Sequence, residues 1–211
     1  MQLIGMLDSP YVRRVAISLQ LLGLPFTHES VSVFRGFDRF RSINPVVKAP
    51  SLICEDGSVL MDSILILEYA EAHADKTRSL VPADLPGLRH SLYLIGLAMA
   101  ANEKSVQIVY EQKLRPADKL HQPWLSRITG QLSAAYDALE VEFAKRRETV
   151  TSENIDQATV STAVAWNFTR EMLPELVSEQ TYPALAALSK VAEALPEFKA
   201  APFGDGTYVS R

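Results

Sequence analysis

The chain has 211 residues, 47% hydrophobic and 22% charged, with a formal net charge of −4. That length suits one or two domains with a sizeable core, the composition excludes a disordered chain, and the slight acidity supplies no basic field for nucleic acid or an anionic membrane surface. The single cysteine, Cys54, excludes an intrachain disulfide framework and a Cys-x-x-Cys redox or zinc pair, which suits a reducing cytoplasm.

Taken in chain order, Gln2–Met6 is a short apolar strand that runs into Ser9-Pro10. Serine is a preferred N-cap and proline a preferred first helical residue, so this step predicts a helix start. The helix extends over Pro10–Leu22, with Val12, Val15, Ala16, Leu19 and Leu22 at helical spacing and Gly23 closing it. Phe26–Val33 alternates as a second strand, and the segment after it reads as irregular. Pro50–Cys54 and Ser58–Met61 are strands joined through Glu55-Asp56-Gly57, and Ser63–His73 is a helix. The order is βαβ, an irregular stretch, then ββα.

Thr77–Gly87 carries two prolines, charges and a glycine, and is expected to link two domains. Beyond it, Leu88–Lys113, Trp124–Arg147, Asn154–Leu173 and Tyr182–Leu195 show apolar residues at i, i+3, i+4 spacing, broken by Pro116, Pro123, Pro174 and Pro196. The expectation is an α/β domain over residues 1–76, a linker over 77–87 and an all-α helical bundle over 88–211. No apolar run of about 18 residues and no cationic leader occur, so membrane insertion and secretion are not expected. Asn167-Phe168-Thr169 matches a glycosylation sequon by chance, inside an apolar helical pattern.

Three short motifs have chemistry to offer. A helix start gathers unpaired N–H groups and the positive end of the helix dipole, so Ser9 either only caps its helix or also places a hydroxyl where a thiolate could be held. Asn44-Pro45-Val46-Val47-Lys48-Ala49-Pro50 leads into the third strand. Pro50 either merely starts that strand in the trans form or is a cis-proline that turns the Ala49 backbone towards an extended ligand. Asp62-Ser63 opens a helix, and the pair either caps it or grips an amino-acid head group, with Ser63 taking a carboxylate and Asp62 an ammonium.

In this order and spacing the motifs resemble the glutathione transferase superfamily over nearly the whole chain, and Ser9-Pro10-Tyr11 with Asn44-Pro45 and Lys48-Ala49-Pro50 resembles its serine-type, tau-like and bacterial branches. The resemblance implies a thioredoxin-like glutathione-binding domain followed by an all-helical domain. It makes Ser9 the hydroxyl that stabilises the glutathione thiolate, Ala49 the backbone partner of the cysteinyl unit, and Pro50 the cis-proline. Lys48 and, more loosely placed, Arg35 would serve the glycyl carboxylate, while Asp62 and Ser63 would hold the γ-glutamyl group. The family's Ser/Thr-x-x-Asp capping box is represented by Asn154-Ile155-Asp156-Gln157, where Asn154 and Gln157 can make the same reciprocal bonds.

An electrophile pocket is expected where the first domain meets the helix after the linker, with Tyr11, Met99, Asn102 and Val106 as its candidate lining. The implied protein is a cytoplasmic, homodimeric glutathione S-transferase of detoxifying type that conjugates glutathione to small apolar electrophiles. Glutathione is its co-substrate, and neither metal, nucleic acid nor membrane is a partner. Alternatives on the same scaffold are a glutathione-dependent isomerase or peroxidase, or a non-catalytic regulatory protein; the serine at position 9 argues against thiol exchange, which uses cysteine there. His28, His73, His90 and His121 show no ligand spacing. Cys54 reads as core, Trp166 as core or pocket wall, and Arg13-Arg14 as a solvated or structural helix face, where the resemblance also implies that an arginine can stabilise the active-site loop or the subunit contact.

Overall fold

The computed structural model describes residues 1–146 and 148–208. They form two units, one of Met1–Val81 together with the chain from Ala194 onward, the other of Pro82–Glu193.

The first unit holds β1 (Gln2–Ile4), α1 (Pro10–Leu21), β2 (Thr27–Glu29), α2 (Phe37–Ile43), β3 (Ser51–Ile53), β4 (Val59–Met61) and α3 (Ser63–His73). The strands make one sheet in the order β2-β1-β3-β4. β1 pairs parallel with β2 and antiparallel with β3, and β4 pairs antiparallel with β3. The expected βαβ then ββα order holds, with one addition in the stretch read as irregular. Helix α2 escaped notice because it is short, starts at Gly36 without a side-chain cap, and buries only Phe40, so no periodic stripe announces it. Phe40 packs with Ile4 and Val31 beside the sheet, while α1 and α3 pack against each other. Strand β2 ends at Glu29, earlier than the alternation to Val33 suggests. Val31 turns into the Phe40 cluster, and Ser32 Oγ accepts from the amides of Phe34 and Arg35 in a turn.

The chain from Ala194 onward departs from the expected 88–211 helical domain. Helix α8 (Pro196–Ala200) packs on α1. The buried Arg13 Nε donates to Ala201 O at 2.8 Å with its guanidinium over the Phe198 ring, and Gln20 Nε2 donates to Glu197 O at 2.9 Å. A buried guanidinium requires acceptors. Nothing in local periodicity shows that Arg13 finds one 188 residues away.

The second unit comprises α4 (Leu85–Leu114), α5 (Gln122–Phe143), α6 (Gln157–Met172) and α7 (Pro183–Glu193). Helix α4 starts inside the expected linker, with Asp84 as its cap and Pro86 in its first turn. Helix α6 is buried along almost its whole length, packed against α4 and α7. Inside this bundle Tyr136 Oη donates to Ala165 O at 2.9 Å, and Trp166 meets the Tyr136 ring edge-on, so Trp166 is core. Burial drives the Tyr136 phenol well above its ordinary range, against hydrogen bonds from Thr169 and Ser105. Glu140 on α5 accepts from the amides of Ala184 and Leu185, capping the start of α7 from a neighbouring helix.

The expected capping pair, Asn154 with Gln157, is not the one used. Asp156 is the N-cap of α6, and its Oδ1 accepts from Thr159 N at 2.7 Å. Asn154 instead closes the preceding turn, accepting from Thr151 N and donating to Thr149 O. Two good capping residues stand two positions apart, and Arg146, 3.2 Å from Asp156 Oδ2, adds a tertiary contact that selects the second. Asp156→Ala is therefore expected to lower stability by about 1–2 kcal/mol in urea or thermal unfolding. Asn154→Ala should cost clearly less; an equal or larger loss at Asn154 would contradict this cap.

Candidate active site

β1 leads through Gly5 into a turn whose last residue is Ser9. A Cβ on Gly5 would lie 2.7 Å from Val12 Cγ2 and 3.2 Å from Ala49 Cβ, and its φ is +134°. Only glycine permits that approach, which sets the start of α1 beside the segment before Pro50. Ser9 N donates to Met6 O at 3.2 Å. Ser9 Oγ accepts from Val12 N at 3.5 Å, at the outer limit for such a bond, and its own proton goes to no described residue. The hydroxyl is thus a weak cap, half-buried, with donor capacity in hand. Beside it, burial pushes the Asp8 carboxyl above its ordinary range, against the Ser9 amide and Arg35.

The second segment is the loop before β3. Asn44 is buried, donates to Ser51 Oγ at 2.9 Å and accepts from Val46 N at 3.0 Å, while Ser51 Oγ donates to Lys48 O at 2.8 Å. These three bonds close the loop on itself. Val47 has φ +54°, and the Ala49–Pro50 peptide bond is cis, as the resemblance implied.

The third segment is the start of α3. Asp62 has φ +73° and caps the helix through Oδ1, which accepts from Ile64 N at 2.9 Å. Its Oδ2 lies 3.2 Å from Lys48 Nζ. Ser63 is buried, and its Oγ accepts from Arg14 Nη1 at 3.0 Å. Burial lowers the Arg14 guanidinium to about 10, opposed by the fields of Asp62 and Tyr11, so it stays charged at neutral pH. Burial also pushes Asp62 up, but the Ile64 amide, Lys48 and Arg14 outweigh it and hold the carboxyl below its usual range.

Lys48, expected at the glycyl end of a ligand, pairs here with Asp62, expected at its γ-glutamyl end, and Ser63 binds Arg14, an arginine that the resemblance allows to stabilise the active-site loop. Its signal was weak: a cation among the apolar positions of α1, one turn after Ser9. Arg35 stands apart from this cluster, largely exposed, with Nη2 3.9 Å from Asp205 Oδ2. Tyr11 is half-buried in the first turn of α1. In the second unit, Met99 and Val106 are half-buried on α4, whereas Asn102 is fully buried. Asn102 lies on the buried stripe Ala98, Asn102, Ser105 and Val109 of α4, and neither polar atom of its side-chain amide has a hydrogen-bond partner among the described residues. Among the described residues no group of three or more His, Cys, Asp or Glu could hold a metal ion, and no helix is long and apolar enough to cross a membrane.

Residues 3–78 match the family model for the glutathione S-transferase N-terminal domain. Over 166 residues the chain is 28% identical to the uncharacterized GST-like protein YibF of Escherichia coli K12, spanning 78% of this chain and 80% of that one. A glutathione transferase family member from Pseudomonas fluorescens Pf-5, solved with bound S-(propanoic acid)-glutathione, is 28% identical with a TM-score of 0.77, over 95% of this chain and 98% of that one. The glutathione S-transferase of Methylobacterium radiotolerans JCM 2831, in complex with glutathione sulfonate, is 25% identical with a TM-score of 0.87, over 100% of this chain and 98% of that one. Residues 3–78 thus form a glutathione S-transferase N-terminal domain, and the chain as a whole has the fold of the glutathione transferases it resembles.

Proposed function

We propose that the protein binds glutathione along its first unit and transfers the thiolate to small apolar electrophiles. The observation that carries this reading is the pairing of an incompletely engaged Ser9 hydroxyl at the start of α1 with the Lys48, Asp62, Ser63 and Arg14 cluster at the start of α3. The first suits a thiolate and the second an amino-acid head group.

In this reading the γ-glutamyl ammonium takes Asp62, and its carboxylate takes Ser63 with the charge of Arg14 beneath. The ligand's ammonium then replaces Lys48 as the partner of Asp62. Lys48, about half exposed, is released to the glycyl carboxylate, with Arg35 as a second cation for that end. Ala49 offers its backbone to the cysteinyl unit. Ser9 Oγ donates to the sulfur, and the N–H groups of the first turn of α1 add their field. Free thiols titrate at about 8.5, and each unit of lowering corresponds to about 1.4 kcal/mol favouring the anion. The thiolate attacks the electrophilic carbon, a C–S bond forms, and the leaving group departs with its electron pair. Tyr11 of the first unit and Met99 and Val106 of the second, each half-buried, are the candidate apolar contacts for the electrophile. The reading also takes the protein as a cytoplasmic homodimer, supported by the single buried Cys54 and by Ile64 and Leu65, which leave α3 apolar side chains exposed.

Immobilised glutathione should retain the protein, and free glutathione at about one hundred times its Kd should stabilise it by about 2.7 kcal/mol, read as a rise in Tm. No retention and no rise would overturn the reading. Ser9→Ala is expected to lower kcat for conjugation of a generic aryl halide by about 10²–10³-fold with little change in glutathione binding, the loss typical of removing one donor to a developing or stabilised anion. An unchanged rate would remove Ser9 from the chemistry.

A further inference from the structure

Beyond Ala201 the described chain runs back beside β2, an edge strand of the sheet, and side-chain contacts hold it there. Ser30 Oγ donates to Asp205 O at 2.8 Å. The Tyr208 ring stacks on Phe26 at 4.4 Å between centroids. Tyr208 N donates to His28 Nδ1 at 2.9 Å.

The other nitrogen of that ring, Nε2, lies 2.7 Å from Gly5 O. A carbonyl only accepts, so Nε2 carries the proton, and Nδ1 must be bare to accept from Tyr208. Both bonds are made only by the neutral imidazole. A proton on Nδ1 would set two N–H groups against each other and remove the Tyr208 bond. The two ends of the ring serve different elements: Gly5 opens the turn that presents Ser9, and Tyr208 belongs to the returning segment. That segment also brings Asp205 to 3.9 Å from Arg35. Arg35 and Asp205 both act on the Asp8 carboxyl.

We propose that residues 202–208 are a strap latched on β2 by His28, that protonation of the imidazole releases the strap, and that release frees Arg35 from Asp205 for an anionic group of a ligand. The last step rests on the glutathione reading above; the latch does not.

Burial lowers the proton affinity of His28, opposed by the Gly5 carbonyl. The ionisable groups on the elements around it are Glu29, held by Arg39; Asp205, beside Arg35; and Asp8. β1 contributes none. The sign follows directly. A histidine whose latched form resists protonation stabilises the latch fully above the ordinary value of 6.5, and that stabilisation is lost as pH falls below it. Each pH unit below that value shifts the equilibrium towards release by about tenfold, until the latched-state pKa is reached.

The test is hydrogen exchange at the Tyr208 amide of the full, ligand-free chain at pH 7.5 and 5.5, normalised to intrinsic rates. Protection should fall by about tenfold at the lower pH in the wild type. His28→Asn keeps an acceptor near the Nδ1 position but cannot be protonated there, so its protection should not change with pH. Should that variant be open at both values, the imidazole itself decides: its NMR titration midpoint in the latched chain must lie below the ordinary 6.5, as protonation coupled to release requires. Equal protection at both pH values in the wild type, or an imidazole midpoint at or above 6.5, overturns the latch. Asp205→Asn should tighten glutathione binding at pH 7.5 by about two- to fivefold, the range for one exposed charge pair. Unchanged binding would overturn the Arg35 step, whereas no binding by either protein would overturn the glutathione reading and leave the latch to the exchange data.

Discussion

The site hangs on one buried cation. Arg14 lies inside the first unit with its guanidinium on Ser63 Oγ and the Asp62 carboxylate in its field. Taking a charge out of water is expensive unless acceptors and counter-charge meet it, so the positions of α1 and α3 are not independent. Wherever the start of α3 goes, the helix that begins at Ser9 must follow. The two groups that would handle the thiol and the amino-acid head group of a small peptide, Ser9 and the Asp62–Ser63 pair, are thereby held by one electrostatic tie one turn into α1. The same tie, with Lys48 on the other side of Asp62, keeps that carboxylate ionised well into acid.

The loop before β3 has a comparable internal logic at a smaller scale. Asn44 reaches across to Ser51, and Ser51 in turn reaches the carbonyl of Lys48, so the side chains at both ends of the loop satisfy the polar groups inside it. Gly5 completes the arrangement by being small. It lets Val12 of α1 and Ala49 of the loop approach the end of β1 together. A residue remarkable only for lacking a side chain therefore does as much to assemble the site as those with functional groups. At the other margin of the same unit, His28 shares its two nitrogens between the Gly5 carbonyl and the Tyr208 amide. The turn that presents Ser9 is in this way connected to a segment nearly two hundred residues later in the chain.

Much of this architecture was legible because it rests on local chemistry. Ser9-Pro10 and Asp62-Ser63 are helix starts wherever they occur, since a side-chain oxygen before a first turn satisfies an amide that nothing else reaches. Helices α1 and α3 accordingly begin where the sequence places them, and the bundle helices follow their apolar stripes. Helix α2 was hidden because a seven-residue segment with a single buried side chain has no period to detect. The cap of α6 falls at Asp156 rather than Asn154 because Thr159 donates both its amide and its hydroxyl to the Asp156 carboxylate and Arg146, brought back across the turn, adds a third contact.

What the amino-acid order determined by itself is therefore the succession of elements, the two helix starts with their hydroxyls, and the family resemblance that these motifs carry. What only the tertiary structure decided is partnership: Arg14 with Ser63, Lys48 with Asp62, and the segment after Ala194 with the first unit rather than the second. The physical reason is the range of the forces involved. Capping and periodicity act over three or four residues and are written in the sequence. The compensation of a buried charge or amide depends on whichever group folding brings within 3 Å or so, and sequence separation carries no information about that distance.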